Sequence, residues 1–436
     1  MKEFKVGMSK ADITPPIGTL LYGYPVIRSA EKVLDKIFVK AIALNQNDKT
    51  VVFISAEVCT LGFTNCQKVA EAISKSYGVE KENILYSAIH THSAPITKTT
   101  AGWGDANEEY INEILIPRSI QAAKTAIENM QDAVMAIGET DSYAGINRRE
   151  VTPEGEVILG QNPEGPYDPT MTAIRFKTVS GENIGTIIHF ACHPTASGKN
   201  LSVTRDWPGY MIDRAELITN APCMYINGAE GDIGPRLSNG KTTGDEALAK
   251  EVGLIAADDV EKAIENAKDF FVPEMKTVSG TLSLPLIKMP TLESIIEKME
   301  AMGDPEKLIE VDITTYARLE KLKKMHEDKV EAPKTMEFPQ TVVALSNLVL
   351  APFPFEAFHN LAQSLREQSP FERTLWLGLT GGSFGYIPTE EQLPYGGYEV
   401  GSFRAATIPG FVDGTDKNLI SESIKLLNKL FKFKED

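Results

Sequence analysis

The 436 residues are 42% hydrophobic and 24% charged, ordinary usage for a folded globular chain, which excludes a disordered or membrane-embedded body. Lys+Arg total 44 against 60 Asp+Glu, a net charge of −16, and no basic run is dense enough to follow a phosphate backbone, so nucleic acid is excluded as a partner. The N-terminus, MKEFKVGMSKADITPP, has no apolar signal core and no window reaches the ~18–20 apolar residues of a spanning helix, so a cytoplasmic location without a transmembrane segment is expected.

Short β-branched runs alternate with amphipathic helical patterns, the signature of a layered α/β fold: a mixed β-sheet core flanked by helices. IFVKAIALNQ and KTVVFISAEV, joined by a polar turn, read as paired neighbouring strands. TNCQKVAEAISKSYG follows with helical spacing and stops at Gly78; NILYSAI is the next strand. The segment from Asn107 to Ala133 reads as a long helix with a kink at Pro117. Strands are expected at MTAIRFKTV, NIGTIIHFAC and CMYING, then a helix over residues 244–270. From 290 to 339 the composition turns to Lys, Glu and Met with helical period, a charged helical insertion within a single catalytic domain spanning 1–436. The α/β pattern resumes at TVVALSNLVLAPFPFEAF and TLWLGLTGGSFGYIP, and a helix ends the chain. Cys59, Cys66, Cys192 and Cys223 are too scattered for a disulfide framework or a metal knuckle and are expected to be reduced, mostly buried thiols.

Only six histidines are present, and four lie at two strand ends. In NILYSAIHTHSAP, residues i and i+2 of an extended strand point the same way, so His90 and His92 are expected to face one side at the strand's end. In IIHFACHPTASG, a second β-branched run delivers His189 and His193. An HxH pair alone is equally well a hydrogen-bonded structural pair. Two clusters at carboxyl ends of strands, where open α/β sheets bind ligands, favour a metal, and zinc suits imidazole plus carboxylate without clustered thiols. Acidic candidates are Glu230 and Asp232 in NGAEGDIGPR, which turn chemistry explains equally well, and Glu356 in PFPFEAF, which alone reads as a helix-entry acid. GGSFG around Ser383 matches the serine-hydrolase elbow, but no histidine follows it and Pro388 stands where a helix is needed, so a serine triad is rejected.

Taken in order, KADITPP with Gly23-Tyr24, HTHSAP, INR at 146–148, HFACHPTAS with RDWPGY, NGAEGDIGPR, PFE and GYIPTEEQLPYGGYE resemble the catalytic domain of the neutral (non-lysosomal) ceramidase family over about residues 5 to 405. The resemblance implies a single catalytic Zn2+ held by His90, His193, Glu356 and Tyr386, with His92, Arg148 and Tyr398 as catalytic neighbours, and hydrolysis of an amide (N-acyl) bond by metal-activated water on a small-molecule or N-acyl lipid-like substrate. Departures are PFE for the family's Pro-Gly-Glu, Gly234 in place of a family serine, and a chain that stops near the end of the catalytic domain. The alternatives are a zinc esterase or deacetylase on a small polar substrate, and a non-catalytic metal-binding homologue.

Overall fold

The computed structural model describes residues 3–309 and 311–432. The first half runs β1 (Phe4–Asp12), β2 (Phe38–Gln46), β3 (Lys49–Ala56), α1 (Phe63–Tyr77), β4 (Ile84–Ala88), α2 (Ile116–Glu128), β5 (Gln131–Asp141), β6 (Thr170–Thr178), β7 (Asn183–Phe190), α3 (Trp207–Thr219), β8 (Cys223–Asn227) and α4 (Glu246–Asn266). The second runs β9 (Met275–Pro285), α5 (Leu292–Met302), α6 (Val311–Glu327), β10 (Thr335–Leu345), β11 (Leu348–Pro352), β12 (Glu356–Ala357), α7 (His359–Gln368), β13 (Arg373–Leu377), β14 (Tyr386–Ile387), α8 (Tyr398–Ala405) and α9 (Thr415–Lys432). The expected strand pair is β2 and β3, antiparallel in register from Val39↔Ala56 to Gln46↔Lys49. Gly78 closes α1 in the left-handed conformation, φ 71°, its N–H returning to Ser74 O. Pro117 has no N–H to give, and the preceding turn, Ile111–Leu115, widens to π geometry.

An eight-stranded mixed sheet, β8-β7-β6-β5-β1-β2-β3-β4, is antiparallel except at its edges, where β7 with β8 and β3 with β4 are parallel. A four-stranded sheet, β9-β10-β11-β13, lies against it. Period-two alternation sets the layers. Along β2, Val39, Ala41 and Ala43 pack towards α1 and α2, whereas Ile42 and Leu44 pack towards the second sheet. Along β10, Val343 and Leu345 face the first sheet, and Val342 and Ala344 face α7 and α9. The order is therefore helices, sheet, sheet, helices. Within 290–339 lie α5, α6 and the start of β10. No helix among the described residues is long and apolar enough to cross a membrane, and all four cysteines are free and buried.

For function, the decisive feature is the curl of the large sheet. Ser55 Oγ on β3 donates to Tyr225 O on β8 at 2.7 Å, and Asn227 Nδ2 at the end of β8 donates to Ile89 O beyond β4 at 3.2 Å. The carboxyl ends of strands from both halves of the sheet thus reach one place.

Candidate metal centre and active site

His90 lies beyond β4, and its backbone leaves the extended region altogether: φ is +77°. A left-handed histidine is strained, of order 1–3 kcal/mol, and such strain concentrates at functional sites. The turn is pinned by Ile89 N–H to Ala56 O and His90 N–H to Val58 O, both 3.0 Å. His90 and His92 do converge, with 3.3 Å between their Nε2 atoms, but through this turn and not through strand alternation. His193 follows β7, its N–H on Ile233 O at 3.0 Å. Glu356 on β12 pairs in parallel register with Tyr386 on β14, so one ladder presents both side chains. Gly231 makes room for that ladder, since a Cβ there would lie 2.5 Å from Glu356 O.

These elements bring four donors together. Glu356 Oε2 is 3.2 Å from the Nε2 of His90 and 3.2 Å from that of His193. The Tyr386 hydroxyl is 3.3 Å from His193 Nε2. On the far side of each ring, His90 Nδ1 meets Cys59 O at 2.8 Å and His193 Nδ1 meets Glu230 O at 2.7 Å. A carbonyl only accepts, so each Nδ1 carries a proton and, in the neutral ring, each Nε2 presents a lone pair, the tautomer that metal-bound histidines adopt. Two imidazoles turned on one carboxylate call for a positive charge among them, which a metal cation supplies and which a proton on His90 supplies in its absence. Bonds of 2.0–2.1 Å from a tetrahedral zinc put neighbouring donors about 3.3 Å apart, which matches the separations seen, so this donor set fits zinc. A second three-donor group, Cys59, His90 and His92, fits less well, because the Cys59 thiol lies 3.6 Å from His90 Nδ1, the nitrogen already given to a carbonyl.

Electrostatics follow the crowding. Burial works against charge on His90, but the Cys59 thiol and Glu356 outweigh it and hold the imidazole well above its ordinary value. Burial, then Arg148, pushes His193 down to about 3, and burial with His90 and His193 holds His92 well below 6.5. Burial alone would raise Glu356; the two histidines pull it well below the usual carboxylate range.

Around this centre, His92 stands edge-on to Tyr24, 5.2 Å between centroids, and its Nδ1 is buried without a partner. Tyr398, at the start of α8, meets Tyr386 at 5.7 Å and lines a cavity of about 160 Å³ with His90, His92 and Glu356. Arg148 sits behind that wall. Its Nε donates to Glu399 at 2.8 Å, its Nη2 donates to the Tyr386 hydroxyl at 3.0 Å, and the guanidinium lies 5.5 Å from the tyrosine ring. Arg149 donates to the other oxygen of Glu399 at 2.7 Å. Where the family carries serine, a Cβ on Gly234 would stand 2.6 Å from Thr242 Cγ2 and 3.4 Å from Arg148 Cβ, so the glycine permits a closer approach here. A separate apolar cavity of about 190 Å³ between Phe63, Cys66, Phe338 and Pro352 contains none of the titratable cluster. The chemistry belongs to the smaller one.

Several candidates do not join the four donors. His189 turns away from the cluster and bonds Trp376 O at 2.7 Å. Asp232 accepts from His359 N and Nδ1 at 2.8 and 2.6 Å, fixing the start of α7 just after Glu356. Glu230 is fully buried, both carboxylate oxygens are without a hydrogen-bond partner, and burial pushes its pKa up to about 8. Ser383 lines the cavity with no histidine bonded to its hydroxyl among the described residues. Sequence reasoning missed Gly23, Glu399 and Lys98. Gly23 and Glu399 belong to the quoted Gly23-Tyr24 pair and to GGYE, but without a role assigned; Lys98, in a loop, has no motif.

The fold is shared with solved structures. The neutral ceramidase from Pseudomonas aeruginosa superposes with a TM-score of 0.75 at 17% identity, covering 99% of this chain and 75% of that one. A structure described as ceramidase complexed with C2 gives 0.76 at 16% identity, covering 99% and 76%. The family model for neutral/alkaline non-lysosomal ceramidase, N-terminal, matches residues 4–228, the stretch that supplies HTHSAP, INR and HFACHPT. This chain therefore belongs to the neutral/alkaline non-lysosomal ceramidase family of hydrolases.

Proposed function

We propose that the chain is a zinc-dependent amidohydrolase that cleaves an N-acyl bond, with His90, His193, Glu356 and Tyr386 holding the ion and His92 and Tyr398 acting on the substrate. The observation that supports this most directly is the convergence of two imidazole Nε2 atoms on one buried carboxylate oxygen at 3.2 Å, with each Nδ1 turned to a carbonyl, the donor set and ring orientation that zinc takes. When bound there, zinc supplies Lewis acidity towards water and towards the scissile carbonyl. The chain's own residues do the rest. His92 stands against the cluster with its Nε2 3.3 Å from that of His90, placed to donate to a developing oxyanion or to move a proton to the leaving amine. Tyr398, on the same cavity wall, is held protonated by burial and by Glu356, and so serves as a donor. Arg148 is a positioning residue: it holds the Tyr386 phenol through its hydroxyl and ring. We read residues 1–436 as one catalytic domain, since the two sheets share a common core.

The test is metal content followed by turnover. Zinc should bind the purified protein at one ion per chain and be lost from folded His90→Ala and His193→Ala, and N-acyl amides should be cleaved by the loaded protein. Undiminished zinc in both variants would overturn the ligand set, and cleavage of matched esters alone would move the reading to an esterase.

A further inference from the structure

The helical insertion forms part of the cavity. Val311 and Thr314 of α6 line it together with Trp103, His92 and Glu356. The helix is clamped at both margins of the site. On one side Thr314 Oγ1 donates to Ala101 O at 3.2 Å, and Gly102, at φ +79°, lies so close that a Cβ would meet Ile313 Cγ2 at 2.7 Å. On the other, Arg318 Nε donates to Thr407 O at 2.8 Å, and a Cβ on Gly401 of α8 would stand 3.3 Å from Val311 Cγ1. Helix α5 backs α6 through Ile295, Leu319 and Leu322. The cavity this leaves, about 160 Å³, compares with the ~150 Å³ void that accepts a benzene ring and is smaller than the ~300–1,000 Å³ of sites that enclose larger ligands.

One cation in its lining has no direct ion pair, although Glu356 in the same lining attracts it. Lys98 is the sole lysine or arginine among the lining residues. Its Nζ donates to Ser383 O at 2.6 Å, and no carboxylate pairs with it among the described residues. An ammonium has three N–H donors, so two remain for a ligand.

Resting on the amidohydrolase reading above, we propose that α6 and Lys98 set the specificity of this site for a compact N-acyl compound bearing a carboxylate, such as a short-chain N-acyl amino acid, with α6 limiting acyl length and Lys98 pairing with the carboxylate.

The experiment uses the zinc-loaded full chain with N-acetyl, N-hexanoyl and N-dodecanoyl glycine and the neutral N-acyl ethanolamines of the same lengths. Expected is the highest kcat/KM for N-acetylglycine, with a preference over N-acetylethanolamine of on the order of 10- to 100-fold, as for a buried charge-assisted hydrogen bond. Lys98→Met should abolish that preference, and Val311→Ala with Thr314→Ala should move the optimum to longer chains. Equal or greater activity on dodecanoyl substrates, or a charge preference that survives in Lys98→Met, would overturn the proposal. Calorimetric binding of N-acetylglycine, to the wild type and to Lys98→Met, separates this inference from the catalytic one. If nothing is hydrolysed but the wild type alone binds, the amidohydrolase reading fails and the assignment of Lys98 stands; if the wild type does not bind it, the specificity proposal fails.

Discussion

Gly23 lies against the imidazole of His92 so closely that a Cβ on it would stand 2.4 Å from His92 Cγ. Its φ of +111° is likewise one that residues with a side chain rarely adopt. Two constraints thus meet at one position, and both act on the ring that the proposed mechanism uses. Gly23→Ala is expected to displace His92, lowering turnover on the order of 100-fold, as loss of a transition-state donor does, while zinc content stays at the wild-type level. Metal analysis alongside kcat measures both; unchanged kcat would show that His92 does not need this placement.

Glu399 carries two arginines. It is 1% exposed and accepts from Arg148 and Arg149 at 2.8 and 2.7 Å. Removing the shared anion leaves two buried guanidiniums uncompensated, a loss of about 3–5 kcal/mol when one partner of a buried pair is deleted. Glu399→Ala should therefore lower the unfolding free energy by that amount in urea, and Arg148→Lys should weaken catalysis without matching that loss, because one ammonium cannot reach both Glu399 and the Tyr386 hydroxyl in the fork geometry of a guanidinium. A stability change under 1 kcal/mol for Glu399→Ala would contradict this account.

What the sequence revealed depended on how local each signal was. His90, His92 and His193 stand out because histidine is rare in the chain and each lies just past an apolar run. Their convergence was anticipated for a reason the backbone does not use, since a left-handed turn at His90 replaces the extended geometry that alternation assumes. Glu356 was visible in the sequence as an acid at a strand end, but its role as a ligand, and Tyr386 altogether, came only through the family resemblance: an acid and a phenol 30 residues apart in sequence do not announce that they share a β-bridge. Strand β9, MKTVSGTLSLP, was overlooked because its outward positions are serine, threonine and glycine and its burial comes from β10 and α9, which lie far along the chain. Gly23 and Lys98 were invisible in their roles, as each acts through a contact made only in the tertiary structure.

Removing the metal should destabilise the fold as well as silence it. A ligand that binds only the native state adds about 4 kcal/mol at 1,000 times its dissociation constant. Chelation should lower the melting temperature, and the shift should vanish in Glu356→Gln. A chelator-induced shift of full size in that variant would place the ion elsewhere.

His189 gives a pH signature separate from the metal centre. Burial pushes its pKa from 6.5 down to about 4, with its bond to Trp376 O, and then Asp168, opposing that and Arg366 reinforcing it. In the unfolded chain the imidazole takes up a proton near its ordinary value of 6.5, which the folded protein refuses until about pH 4. The unfolded state therefore binds more protons across this window, and stability is lost as pH falls through it. At roughly 1.4 kcal/mol per unit the full contribution is about 3 kcal/mol, present in full above pH 6.5 and gone below pH 4. His189→Gln, which retains a donor for the Trp376 carbonyl but cannot titrate, should flatten the dependence of unfolding free energy on pH by that amount between these limits while leaving zinc content unchanged. If the wild type and the variant lose stability in parallel across the window, His189 is not held neutral by its surroundings.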